Sequence, residues 1–239
     1  GSDTSWDFSD GGYKAWCDKA QERMDNLNKK PSFNNTNVGT IVAGNSLTVT
    51  DTNKVLSDYP AFTKSGSGWS ITHSKNSNSL TIKVDKSCTA SSFKLANGEY
   101  YKDGTGDDDE LLLYYPYGSE AYQKLIYSAY YDPVSMAFSG SITPLGDMKL
   151  VKTSEDGVVA GINFTVTGAN GFSKTVTTNA NGEIDISDLV PGIYTITEEK
   201  IDRYVPNQSQ TITVSSGKTS SISFYNILKK FRVTVTKQD

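Results

Sequence analysis

The chain has 239 residues, 36% hydrophobic and 21% charged, with a formal net charge of −4, which is room enough for two ordinary domains with cores of their own. No basic stripe is present, which argues against nucleic acid as a partner. No apolar run reaches the length of a membrane span.

Residues 11–30 carry the one helical pattern. Trp16, Ala20, Met24 and Leu27 recur at spacings that line one face. Asp10 is suited to cap its start, Lys29 and Lys30 suit the negative end of the dipole, and Pro31 stops it. From residue 38 the pattern changes to short strands divided by Asn-Gly, Gly-Ser and Asp-rich turns. Val38–Val42, Ser46–Thr50, Trp69–Thr72, Ser79–Val84, Glu110–Tyr115 and Pro133–Ile142 are the expected strands. Residues 1–145 thus read as a β-sandwich with one helix.

Pro144-Leu145-Gly146 marks a boundary. Beyond it a regular meander is expected: Asp147–Thr153, Gly161–Thr167, Lys174–Thr178, Glu183–Ile186, Ile193–Glu198, Gln210–Val214 and Ser220–Asn226. Seven short strands with regular turns predict an Ig-like sandwich over 146–228. Residues 229–239 then partly repeat its opening. Val233, Val235 and Lys237 are spaced as Met148, Leu150 and Lys152 are, so a further repeat of a modular chain is expected to begin there. The Gly1-Ser2 start reads as a cloning remnant, and the natural ends are expected to lie elsewhere.

Three of these strands end an apolar face on a polar residue. Side chains alternate between faces along a strand. Lys152 therefore shares a face with Met148 and Leu150, Glu198 with Tyr194 and Ile196, and Asn226 with Ile222 and Phe224. A polar strand end is commonly solvated. Three of complementary chemistry suggest a buried cluster instead. Burial lowers the pKa of a lysine and raises that of a glutamic acid. A neutral Lys152 amine is a nucleophile. A protonated Glu198 could donate a hydrogen bond to the Asn226 carbonyl and carry protons from amine to leaving group. Attack by Lys152 on Asn226 would release ammonia and leave an amide, with proximity supplied by the fold. Lys149 is the rival nucleophile, but it falls on the opposite face with Val151.

The segments Lys149-Leu-Val-Lys-Thr-Ser-Glu-Asp-Gly157, Ala160–Val166, Thr177–Glu183, Leu189-Val-Pro-Gly-Ile-Tyr-Thr-Ile-Thr-Glu198 and Ile222-Ser-Phe-Tyr-Asn226 together resemble the Cna-B-type (collagen-adhesin B-repeat) domains of Gram-positive surface proteins and pilins. The resemblance implies an isopeptide bond between Lys152 and Asn226, with Glu198 handling the proton. The chemistry would occur once per molecule, without cofactor. The segment Glu199–Tyr204 departs from the family's Ala-Pro-x-Gly-Tyr wording, which is expected to alter a loop and not the bond. The helix running into Lys30-Pro-Ser-Phe33, with Leu47–Leu56, Tyr122-Gln-Lys-Leu125 and Asp132-Pro-Val-Ser135, weakly resembles adhesin head domains that precede such stalks, the thioester-domain family included. That family uses a Cys and a Thr-Gln-x-Ala motif. No Thr-Gln dipeptide occurs here and Cys17 has no recognisable partner, so no internal thioester is expected.

The remaining signals leave alternatives open. Cys17 and Cys88 are either bridged or two free thiols. Nine of the fourteen tyrosines fall between Tyr100 and Tyr131 and either pack or form a binding surface. Asp103 and Asp107-Asp-Asp-Glu110 form a solvated turn or a calcium loop; the turn is the ordinary reading, and no metal is expected. Asn34, Asn163 and Asn207 lie in N-x-Ser/Thr sequons, which mean little in a bacterial protein. The expectation is an extracellular, cell-wall-anchored adhesin or minor pilin, monomeric within a longer chain, whose head holds a host or surface protein or glycan. A secreted glycan-active enzyme with Cna-B accessory domains is the alternative, but it needs paired carboxylates in a cleft, and the acidic residues of the first unit cluster in a turn. A truncated thioester adhesin is the other.

Overall fold

The computed structural model describes residues 29–102, 112–114, 125–127, 134–235 and 237. The expected helix lies outside them except for its last two residues, and Lys29 and Lys30 are irregular. Cys17 and the Asp107–Glu110 cluster also lie outside. Of the tyrosine-rich segment only scattered backbone is described.

Among the described residues the first unit has nine strands: β1 (Asn37–Val42), β2 (Ser46–Thr50), β3 (Phe62–Gly66), β4 (Trp69–His73), β5 (Ser79–Val84), β6 (Ser92–Lys102), β7 (Leu112–Tyr114), β8 (Leu125–Tyr127) and β9 (Val134–Thr143). Two sheets, β1-β9-β6 and β2-β5-β4-β3, flank one core, and β7 pairs with β8. β5 shows the logic: Leu80, Ile82 and Val84 are buried while Thr81 and Lys83 are exposed. Phe33, Ile41, Leu56, Ile71, Phe93, Met136 and Phe138 join the same core.

Asp51 ties this unit's irregular chain together. It is 1% exposed. Its Oδ1 accepts from the backbone N–H of Ser32 (2.8 Å) and Asn53 (2.9 Å), and its Oδ2 from Val55 (2.8 Å) and Leu56 (2.9 Å). Burial works to raise its pKa. The hydrogen bonds from Ser32, Val55, Asn53 and Leu56 outweigh it and hold the carboxyl below its usual range. Cys88 is a free, buried thiol whose Sγ contacts the Ser67 carbonyl at 3.4 Å.

The second unit follows with β10 (Gly146–Ser154), β11 (Asn163–Thr167), β12 (Ser173–Thr177), β13 (Glu183–Leu189), β14 (Gly192–Glu198), β15 (Gln210–Val214) and β16 (Thr219–Asn226). The sheet β13-β10-β16 faces the sheet β12-β11-β14-β15 across a core of its own. Met148, Leu150, Phe164, Val166, Ile186, Tyr194, Ile196 and Phe224 fill that core. β10 is central in its sheet. It pairs antiparallel with β13 and parallel with β16, so the first and last strands of the unit are neighbours. Among the described residues the fold is mainly β, two β-sandwiches in sequence.

One turn is set by the site it supports. Asn179 Oδ1 accepts from the N–H groups of Asn181 and Glu183, both at 2.9 Å. Gly182 then takes φ +77°, and a Cβ on it would stand 2.5 Å from the Lys152 carbonyl oxygen. Positive φ and close approach together require glycine here. The Lys152 N–H donates to the Gly182 carbonyl at 2.7 Å.

Beyond Asn226, a bridge joins Tyr204 to Leu228. Residues 229–235 form no strand, and Phe231, Val233 and Val235 are more than four-fifths exposed.

Candidate functional site

Alternation along β10 sends Met148, Leu150 and Lys152 inward. Lys152 is 1% exposed. In the parallel register it lies beside Phe224, and Ser154 beside Asn226. Asn226 follows Phe224 on the inward face of β16 and is also 1% exposed. Glu198 arrives from the opposite sheet. It ends β14, opposite Phe164 of β11, and its side chain is 5% exposed. Phe164 and Phe224 meet edge-on across the sandwich, centroids 5.0 Å apart. An aromatic pair thus stands beside the buried polar groups.

The three side chains meet at one oxygen. Glu198 Oε1 lies 3.8 Å from Lys152 Nζ and accepts from Asn226 Nδ2 at 2.6 Å. Lys152 Nζ also donates to the Thr153 carbonyl at 2.9 Å. Burial pushes the Lys152 amine below its ordinary pKa of 10.5, against the opposing pull of Glu198 and Asp156. Lys149 is the opposite case. It lies on the outer face, 2.8 Å from Glu183 Oε1. The hydrogen bond to Glu183 holds its pKa above the ordinary value. The inner lysine is biased toward the neutral nucleophile and the outer one toward the ammonium.

One detail departs from the sequence reading. The Asn226 carbonyl does not take its hydrogen bond from Glu198. Asn207 Nδ2 donates to Asn226 Oδ1 at 2.5 Å and to Glu198 Oε2 at 2.6 Å. Glu198 is turned toward the amide nitrogen instead, because its two oxygens are taken up by donors from Asn226 and Asn207. Sequence reasoning saw Asn207 only as part of a sequon. It stands in the irregular segment between β14 and β15, where no periodicity tells which way a side chain points.

The same segment is anchored to the turn after β10. Tyr204 is 2% exposed, and its hydroxyl donates to Asp156 Oδ1 at 2.7 Å. Arg203 Nη2 donates to that hydroxyl at 2.8 Å, and its guanidinium stacks 4.7 Å above the Tyr204 ring. The Tyr204 hydrogen bond, with further help from Ser154, Val158 and Arg203, lowers the Asp156 pKa to about 2. A cavity of about 210 Å³ borders Glu198, Tyr204, Asn207 and Asn226. Among the described residues, no three His, Cys, Asp or Glu side chains gather as a metal site.

Comparison with known proteins bears on this segment directly. Residues 146–228 match the SpaA prealbumin-like fold domain. The matched stretch coincides with the one that resembles Cna-B-type modules. No curated protein sequence matches the chain. Among solved structures, the chain is similar to the TIE protein of Bacillus anthracis at 20% identity and TM-score 0.38, over 71% of this chain and 34% of that one. It is similar to GBS52, the minor pilin of Streptococcus agalactiae, at 18% identity and TM-score 0.36, over 70% of this chain and 71% of that one. The major pilin SpaD of Corynebacterium diphtheriae aligns at 18% identity and TM-score 0.30, over 35% of this chain and 30% of that one. The chain thus spans about a third of the Bacillus anthracis protein's length.

Proposed function

We propose that this chain is part of a Gram-positive surface adhesin or pilus subunit, and that its SpaA-like domain is a stalk segment locked by a Lys152–Asn226 isopeptide bond. One observation carries the reading. Glu198 Oε1 faces both the Lys152 amine and the Asn226 amide nitrogen in a buried, aromatic-walled site. A carboxylate so placed takes a proton from the attacking amine and gives it to the departing nitrogen. Lys152 Nζ bonds to Asn226 Cγ, the bond from Cγ to Nδ2 breaks, and ammonia leaves. The reaction runs once and has no turnover.

The topology supports a mechanical role for such a bond. β10 and β16 run parallel and adjacent, so tension on the two ends of the domain shears one strand along the other. A link from Lys152 to Asn226 passes the load from β10 straight to the chain's exit. The residues between them are left out of the force path. Residues 1–145 would be the head that such a stalk holds away from the cell wall, meeting a host or surface protein or glycan. The domain assignment supports this role, and the carboxylate geometry supports the cross-link.

Intact-protein mass tests the chemistry. The wild-type chain should weigh one ammonia less than its sequence. Glu198→Gln keeps the shape of the side chain but cannot accept a proton, and it should weigh the full amount. An uncross-linked wild type with a native fold, or a Glu198→Gln chain that still loses ammonia, overturns the proposal.

A further inference from the structure

The proposed reaction needs more than a nucleophile and a proton carrier. As Lys152 Nζ bonds to Asn226 Cγ, the carbonyl electron pair moves onto Oδ1, and negative charge develops there until the bond to Nδ2 breaks. Glu198 is not placed to stabilise that charge, because Oε1 faces the two nitrogens and Oε2 accepts from Asn207. In a buried site the charge needs a fixed donor already aimed at it.

We infer that Asn207 is a catalytic residue of bond formation, its side-chain amide holding the charge that develops on Asn226 Oδ1. The inference rests on the isopeptide reading above. Asn207 Nδ2 stands 2.5 Å from that oxygen and 2.6 Å from Glu198 Oε2. Its two hydrogens serve both acceptors at once. One bond polarises the electrophile. The other holds Glu198 so that Oε1 is left for the amine and the amide nitrogen. An amide does not titrate, so this donor is present at every pH.

The donor is preorganised by its neighbours. The Val205 N–H donates to the Ile227 carbonyl at 2.9 Å, and Tyr204 bridges to Leu228. Both contacts are with the two residues that follow Asn226. The Tyr204 hydroxyl is fixed on Asp156, in the turn that follows β10. The segment bearing Asn207 is thereby pinned to the turn that follows β10 and to the residues that follow β16. The adjoining cavity of about 210 Å³ gives the departing ammonia room to leave.

The test follows bond formation in time. The full chain is made by cell-free translation in a short pulse. Aliquots are quenched in acidic denaturant, and the fraction lacking one ammonia is read by intact mass. Asn207→Ala and Asn207→Leu both remove the donor, and the second keeps most of the side chain's bulk. Loss of one such donor should slow the reaction by about 100-fold or more, with near-UV circular dichroism unchanged. Two variants are used so that one misfolded chain does not decide the outcome. Wild type that bonds and a folded variant that bonds equally fast would overturn the role of Asn207 and leave the isopeptide reading in place. Wild type that never loses ammonia would overturn the isopeptide reading itself.

Discussion

Replacing Lys152 with methionine asks how much the cross-link is worth. Methionine fills nearly the same buried volume, adds no charge and cannot form an amide. Glu198 keeps its hydrogen bonds from Asn226 and Asn207, so the variant mainly subtracts the bond. The link between residues 152 and 226 would close a loop of about 75 residues, and chain entropy values that closure at about 4.5 kcal/mol. In a domain of this size each kcal/mol moves the midpoint by about 4–8 °C, so the melting temperature should fall by roughly 20–35 °C. Differential scanning calorimetry of the full chain is the assay. The first unit has a separate core, so its transition serves as an internal reference. A shift under about 5 °C, with the wild type shown to carry the bond, would refute the reasoning.

Other outcomes follow from the same geometry. Lys149→Met should leave the ammonia deficit intact, because Lys149 points outward to Glu183; loss of the deficit in a folded variant would move the nucleophile to that residue. Asp51→Ala strands four backbone N–H groups and should cost the first unit about 3 kcal/mol or more, read by denaturant titration; a loss under about 1 kcal/mol would contradict the cradle. The Asp51 carboxyl has a folded pKa below its ordinary 3.8. Its contribution is therefore complete above that value and is lost as pH falls through the lowered one. The first unit of wild type should lose stability over that acid range, and Asp51→Ala should lose correspondingly less.

How much of this was legible beforehand depends on burial. β5, β10 and β16 were readable because one face is packed and the alternation is strict. β3 was missed because Phe62-Thr-Lys-Ser-Gly66 carries a single large apolar residue. β6 was missed because Ala96-Asn97-Gly98 reads as a turn, and the pairing with β9 shifts register between Leu95 and Tyr100. The inward faces of Lys152, Glu198 and Asn226 followed from period two alone. That period does not tell which sheet a strand joins, so the arrival of Glu198 from the facing sheet was not foreseeable. Asn207 was beyond reach for a further reason. Its partners are fixed by the way Tyr204 and Val205 dock on Asp156, Ile227 and Leu228, contacts made only in the folded unit.

The most direct measurement of the central claim is proteolytic digestion of the folded wild-type protein followed by tandem mass spectrometry. The account expects one branched peptide in which the Lys152 side chain is joined to the Asn226 side chain, one ammonia lighter than its two parts. Separate linear peptides carrying an unmodified Lys152 and an unmodified Asn226 would contradict it.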